Sequence, residues 1–270
     1  MLKKIIRISV YIYKSFFAND CANRAASLAY TTLLSLVPII MLSFWILSLF
    51  PVFTGTGEVV QQFVIKNFVT HSAQVISEQL NHFLAQIKVL SWSSLLALGI
   101  VSVLMLFDMV AAFNSIWHVE TRHLILSISF YSLAILVVPI FVGVFILFSS
   151  YLATLFSGVG FVEKPLIYLL PYACAFFIFS LCNWILPSCK VPLRYAILSG
   201  LITTILFEVT KYLFSLYISY FPTYKVIYGA LAVIPIFLLW IYLCWVIILL
   251  GAVICQTMTK GVPGESNEYH

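Results

Sequence analysis

The chain has 270 residues, 63% of them hydrophobic and 9% charged, with a mean hydropathy of +1.10 and a formal net charge of +5. A soluble domain carries about 25% charged residues, so this composition excludes a water-soluble enzyme or nucleic-acid-binding domain and indicates an integral membrane protein. Runs such as Leu231 to Leu250 are apolar on every face, whereas barrel strands alternate in and out over about 10 residues, so the expected fold is all-α.

In chain order, residues 1–18 come first. Ile5, Ile8, Ile12 and Phe16 recur at helical spacing while Lys3, Arg7 and Lys14 fall elsewhere on the wheel, which predicts an interfacial amphipathic helix resting on an anionic inner leaflet. Arg7 and Lys14 interrupt the apolar stretch and no small-residue cleavage site follows, which argues against a cleaved signal peptide. Asn19 and Asp20 are placed to cap the next helix, and Asp20 and Arg24, one turn apart, are expected to form a local ion pair.

A transmembrane domain over 19–258 follows, with six runs of about 20 or more apolar residues, the length that crosses a core of about 30 Å. They are Ala25 to Phe50, Trp92 to Trp117, Leu124 to Phe156, Pro165 to Leu186, Leu193 to Tyr220 and Leu231 to Met258. Between the first two, residues 51–91 carry two apolar sets at helical spacing, Val59, Val60, Phe63, Val64 and Phe68, then Val75, Ile76, Leu80, Phe83, Leu84 and Ile87. These predict two amphipathic extracytoplasmic helices. Residues 259–270 form a cytoplasmic tail. Pro38, Pro139, Pro171 and Pro235 lie in or near the ends of apolar runs, where a membrane helix tolerates a kink.

Basic residues orient such a chain. With the N-terminus inside, Lys3, Lys4, Arg7, Lys14, Arg24, Arg122, Lys190, Arg194 and Lys260 are cytoplasmic, against Lys66, Lys88, Lys164 and Lys225 outside, so both termini are expected in the cytoplasm. The six cysteines, at 21, 174, 182, 189, 244 and 255, form no CxxC pair and read as packing residues. No HExxH, P-loop, GxSxG or dinucleotide fingerprint is present; neither metal nor cofactor is expected.

The polar residues inside these runs are the candidate site. Glu208 and Lys211 stand three apart in the fifth run, where a charge costs at least about 2.5 kcal/mol on insertion scales and is expected to face protein or a wet cavity. They are either an ion pair that glues the bundle or a site that binds a charged headgroup or moves protons. Asp108, in the second run, lies within reach of the Lys211 stem on helical-rise estimates, and Asn114, near the inner end of that run, is expected to hydrogen-bond across helices.

Several stretches carry a resemblance: Leu28 to Pro38 (LAYTTLLSLVP), Asn114-Ser-Ile-Trp117, Val191-Pro-Leu-Arg194, Phe207-Glu-Val-Thr-Lys211 and Ile227 to Pro235, followed by the helix through Gly251. In this order, from about Asp20 to Gln256, they resemble the YihY/BrkB family of bacterial inner-membrane proteins. The resemblance implies a six-helix protein of the cytoplasmic membrane without a settled activity. Some family members have been labelled ribonuclease BN, but a nuclease needs a soluble phosphate-binding surface that these short cytoplasmic segments do not offer. Where family members often have glutamate after Gly-Ala in the last helix, this chain has Val253, and the family aspartate aligns with Val110, so Asp108 inherits no family role. The expected function is a transporter or flippase-like activity toward an amphipathic, lipid or lipid-linked envelope substrate. The alternative is an envelope scaffold with a structural ion pair. Membrane lipids are the expected partners, nucleic acid is not, and no enzymatic reaction is expected.

Overall fold

A computed structural model describes residues 2–48, 92–120, 163–220 and 233–261. Six helices cover almost all of them, and no strand occurs among the described residues: α1 Leu2–Ala18, α2 Cys21–Ser48, α3 Trp92–Trp117, α4 Glu163–Ile185, α5 Leu193–Tyr220 and α6 Val233–Lys260. Five of these coincide with predicted crossings to within a few residues. The predicted crossing Leu124 to Phe156, the predicted extracytoplasmic segment 51–91 and residues 262–270 of the predicted tail lie outside the described residues.

Among the described residues, three stretches are long and apolar enough to cross a membrane, Leu96–Trp117, Leu193–Tyr220 and Pro235–Lys260. At a rise of 1.5 Å per residue even the shortest spans about 33 Å. Pro171–Ile185 is a shorter apolar helix. Pro38 and Pro171 sit inside continuous helices.

The chain divides into two compact units, Met1–Leu33 with Met105–Leu124 and Val159–His270, and Leu34–Leu104 with Ile125–Gly158. In the second, the described parts of α2 and α3 bury Ser35, Leu42 and Ser102 and leave Leu96, Ile100 and Leu104 exposed on one stripe.

The first unit holds the candidate residues. Within it α4 packs on α5 and α6, α5 on α6, and α1 on α6. Its core joins Phe16 of α1, Cys21, Ala25 and Leu28 of α2, Phe113, Ile116 and Trp117 of α3, and Leu249, Val253 and Cys255 of α6. The helices approach closely because small residues meet. A methyl group at Gly200 would overlap Ser180, with the Ser180 backbone N and Cα only 2.9 Å away, and one at Gly251 would overlap the Thr203 side chain. Small residues at contacts are how membrane helices gain packing where apolar surface alone gives no preference for protein over lipid.

The helix ends are tied by side chains. After α1 the chain turns at Asp20 (φ 55°), with the Asn19 amide donating to Ser15 O (3.0 Å) and Asn19 Nδ2 to the same carbonyl (2.8 Å). The expected Asp20–Arg24 ion pair is replaced by other partners. Arg24 Nε donates to the Asn19 carbonyl (3.2 Å), and Asp20 Oδ1 accepts from Asn23 Nδ2 (2.7 Å). At the end of α3, His118 is left-handed (φ 51°), His118 N donates to Ser115 O and Val119 N to Asn114 O, the paired bonds of a Schellman cap. The last α3 carbonyls also receive donors from α6, Gln256 Nε2 on Ile116 O and Lys260 Nζ on Trp117 O (2.8 Å). A cation there also complements the negative end of the helix dipole.

A helix is present over Leu2–Ala18, but the end of its expected lipid stripe docks inward. Phe16 is buried and Ile12 packs against the core.

Candidate functional site

α5 places five small or polar residues, Ala196, Ser199, Gly200, Thr203 and Thr204, on one buried face. Because 3.6 residues complete a turn, Glu208 and Lys211 fall on the margin of that face, beside the exposed stripe of Leu201, Ile205 and Tyr212. They form the ion pair that their spacing predicts, with Lys211 Nζ 2.6 Å from Glu208 Oε2 and 2.8 Å from Oε1. The pair is open rather than sealed: the side chains are 50% (Lys211) and 23% (Glu208) exposed.

Aromatic rings border the lysine. Its Nζ stands 5.6 Å from the centroid of Tyr172 on α4 and 5.9 Å from that of Phe207 one turn below, inside the range where a ring quadrupole attracts a cation. Phe207 contacts Phe179 (5.4 Å) and Trp240 (5.8 Å), and Trp240 also contacts Phe214 (4.9 Å), so rings from α4, α5 and α6 fix the wall beside the pair. An ammonium group has three donors. Its carboxylate partner stands on one side and rings on another, and half of the Lys211 side chain is exposed.

Below the pair, the hydroxyls of Thr203 and Thr204 are consumed within α5, by Ser199 O (2.7 Å) and Gly200 O (2.8 Å). On α4, Ser180 Oγ and Asn183 Oδ1 are buried without a hydrogen-bond partner, and Trp117 Nε1 on α3 is a third such atom.

Asp108 and Asn114 serve elsewhere. Asp108 Oδ2 accepts from Thr31 Oγ1 on α2 (3.3 Å), so its partner is a hydroxyl and not Lys211. Asn114 hydrogen-bonds to a loop residue and not to another helix. Its Oδ1 accepts from Ser188 N (2.8 Å) and its Nδ2 donates to Ser188 Oγ (2.9 Å), securing the short connection between α4 and α5. Tyr172 is the site residue that the sequence reading did not name. Nothing in the pattern of α4 distinguishes it from the other aromatic residues there, since its partner lies 39 positions away.

None of the six cysteines is in a disulfide. Cys21, which precedes the first predicted crossing, is fully buried, and burial pushes its thiol up to about 11 against the opposing pull of Arg24. It is a packing residue. No group of three or more His, Cys, Asp and Glu residues suited to a metal occurs among the described residues.

The family model for Virulence factor BrkB matches residues 12–269 of this chain. The chain belongs to the BrkB (YihY) family. Relatives of this BrkB protein are named UPF0761 membrane protein. One from Coxiella burnetii is 43% identical over 260 residues, covering 94% of this chain and 93% of the relative. One from Photobacterium profundum is 40% identical over 262 residues (95% and 82%), and one from Azotobacter vinelandii 39% identical over 249 (90% and 60%). No solved structure matches. With the apolar helices described above, these relatives make the BrkB chain a membrane protein.

Proposed function

We propose that this BrkB-family protein is a six-crossing transporter of the bacterial cytoplasmic membrane that moves an amphipathic envelope lipid in the manner of a flippase, with Glu208 and Lys211 as the point of headgroup contact. The observation that carries the reading is the half-exposed Lys211 side chain in the second half of a 28-residue apolar helix, bordered by Tyr172 and paired with a carboxylate it can exchange for another. An intramembrane charge is costly and is kept where it handles a ligand or finds a partner. Here the carboxylate would hold the lysine charged and in place while an anionic headgroup is absent. The headgroup phosphate would then compete for Nζ as it passes the margin of α5. Neither Asp108 nor Asn114 is needed for that step.

The second reading is an envelope scaffold, and the direct 2.6 Å contact between Glu208 and Lys211 favours it. The two differ in their dependence on charge order. Purified protein in liposomes carrying a trace of NBD-labelled phosphatidylglycerol is expected to expose the inner-leaflet label to dithionite faster than empty liposomes. Lys211→Ala should abolish the acceleration, and the exchange Glu208→Lys with Lys211→Glu should yield folded but inactive protein. Full activity in the exchanged variant, or none in the wild type, would sink the transport reading.

A further inference from the structure

Helix α1 is apolar on two faces, and the protein uses one. Phe16 is buried, Ile12 packs against the core, and Asn19 is buried at the turn that follows. A second stripe, Ile6, Val10, Tyr13 and Phe17, is left 48–66% exposed. These four recur at intervals of four, three and four, so they form one continuous ridge about 40° to 60° wide on the helix surface. Tyr13 and Phe17 are in ring contact at 4.8 Å, giving the ridge an aromatic end. Arg7 and Lys14, both exposed, flank the ridge on the side away from the core.

The level of the helix narrows the occupant. Phe16 shares a core cluster with Trp117, Val253 and Cys255, residues in the last turns of α3 and α6, both of which are long and apolar enough to cross a bilayer. A helix docked at the ends of crossing helices lies at the water–lipid boundary, where aromatic and basic side chains concentrate. A ridge of Ile, Val, Tyr and Phe in water would be unfavourable in proportion to its apolar area. The neighbouring guanidinium and ammonium groups match lipid phosphates, and each basic residue near an anionic surface is worth about a fivefold gain in partitioning.

We propose that α1 is a two-sided clamp: its Ile12–Phe16 face holds the protein core while its Ile6–Val10–Tyr13–Phe17 ridge beds into the anionic leaflet, with Arg7 and Lys14 on the headgroup phosphates. The inference is independent of whether the protein moves lipid. The test uses full-length protein in which the native cysteines are replaced, checked for an unchanged melting midpoint, with one nitroxide-labelled cysteine at position 6, 10, 13, 17 or, as reference, the exposed Ala18. Reconstituted in vesicles with one third phosphatidylglycerol, the four ridge labels are expected to collide more with oxygen than with a nickel chelate, and the label at 18 to show the reverse. In pure phosphatidylcholine the ridge labels should rise toward water. Arg7→Gln with Lys14→Gln should remove that difference, at about fivefold per charge in the ratio of inserted to free helix. Nickel access at all four ridge positions, equal depth in the two lipids, or dipolar broadening from a second copy would overturn the proposal.

Discussion

Asn114 ties the end of α3 to the α4–α5 connection, a structural use of its amide. Its amide uses both ends on Ser188, accepting from the backbone N–H and donating to the hydroxyl. Truncation to alanine leaves a partly buried N–H without a partner, which costs about 1–3 kcal/mol. Asn114→Ala is therefore expected to lower the melting midpoint in detergent clearly. Ser188→Ala, which keeps the bond to the backbone amide, should lower it less. Equal midpoints for the wild type and Asn114→Ala would show that this bond does not hold the α4–α5 connection. Glu208 and Lys211 instead bond to each other, one turn apart on α5.

At the scale of elements, two glycine contacts set how closely α4, α5 and α6 approach, and they should respond differently to relief. At Gly251 the three atoms nearest to an added methyl group all belong to the Thr203 side chain. Gly251→Ala should reduce folded yield, and adding Thr203→Ala should recover part of it, because the second change removes Oγ1 and Cγ2 but leaves the Thr203 Cβ 3.2 Å from the new methyl. At Gly200 the obstacle includes the Ser180 backbone, so no trimming of Ser180 opens room and Gly200→Ala with Ser180→Ala should remain as poor as Gly200→Ala alone. Size-exclusion recovery of the four variants measures this, and rescue at Gly200 would contradict the packing described. Helix positions were legible in the sequence because the bilayer sets a length that apolar runs must meet, as α3 and α5 show at both ends. The Glu208–Lys211 bond was legible because i and i+3 are neighbours on any helix. The inward face of α1 was not, since residues 5, 8, 12 and 16 and residues 6, 10, 13 and 17 are both apolar at helical spacing. Periodicity shows that a stripe exists and not which stripe the core takes. Tyr172 beside Lys211 and Thr31 beside Asp108 were hidden for the related reason that both are contacts between helices distant in sequence.

At the scale of the whole molecule, three segments far apart in sequence meet within the first unit. The end of α3 touches the α4–α5 connection through Asn114 and Ser188, and the end of α6 through Trp117 and Lys260. Short polar contacts between these ends require them to share one side of the membrane, whichever side that is. The basic residues choose the side: Arg24, Lys190, Arg194 and Lys260 cluster at or next to these ends, and lysine and arginine are retained in the cytoplasm. Reporter fusions after residues 120, 190 and 260 are therefore expected to give a cytoplasmic signal together, and one after residue 75 an external signal. The contact argument and the charge argument fail separately. A split among residues 120, 190 and 260 would contradict the observed contacts, whereas all three outside with residue 75 inside would keep those contacts and reverse the orientation. That reversal would also turn the ridge of α1 toward the outer leaflet, so the fusions fix which leaflet Arg7 and Lys14 address.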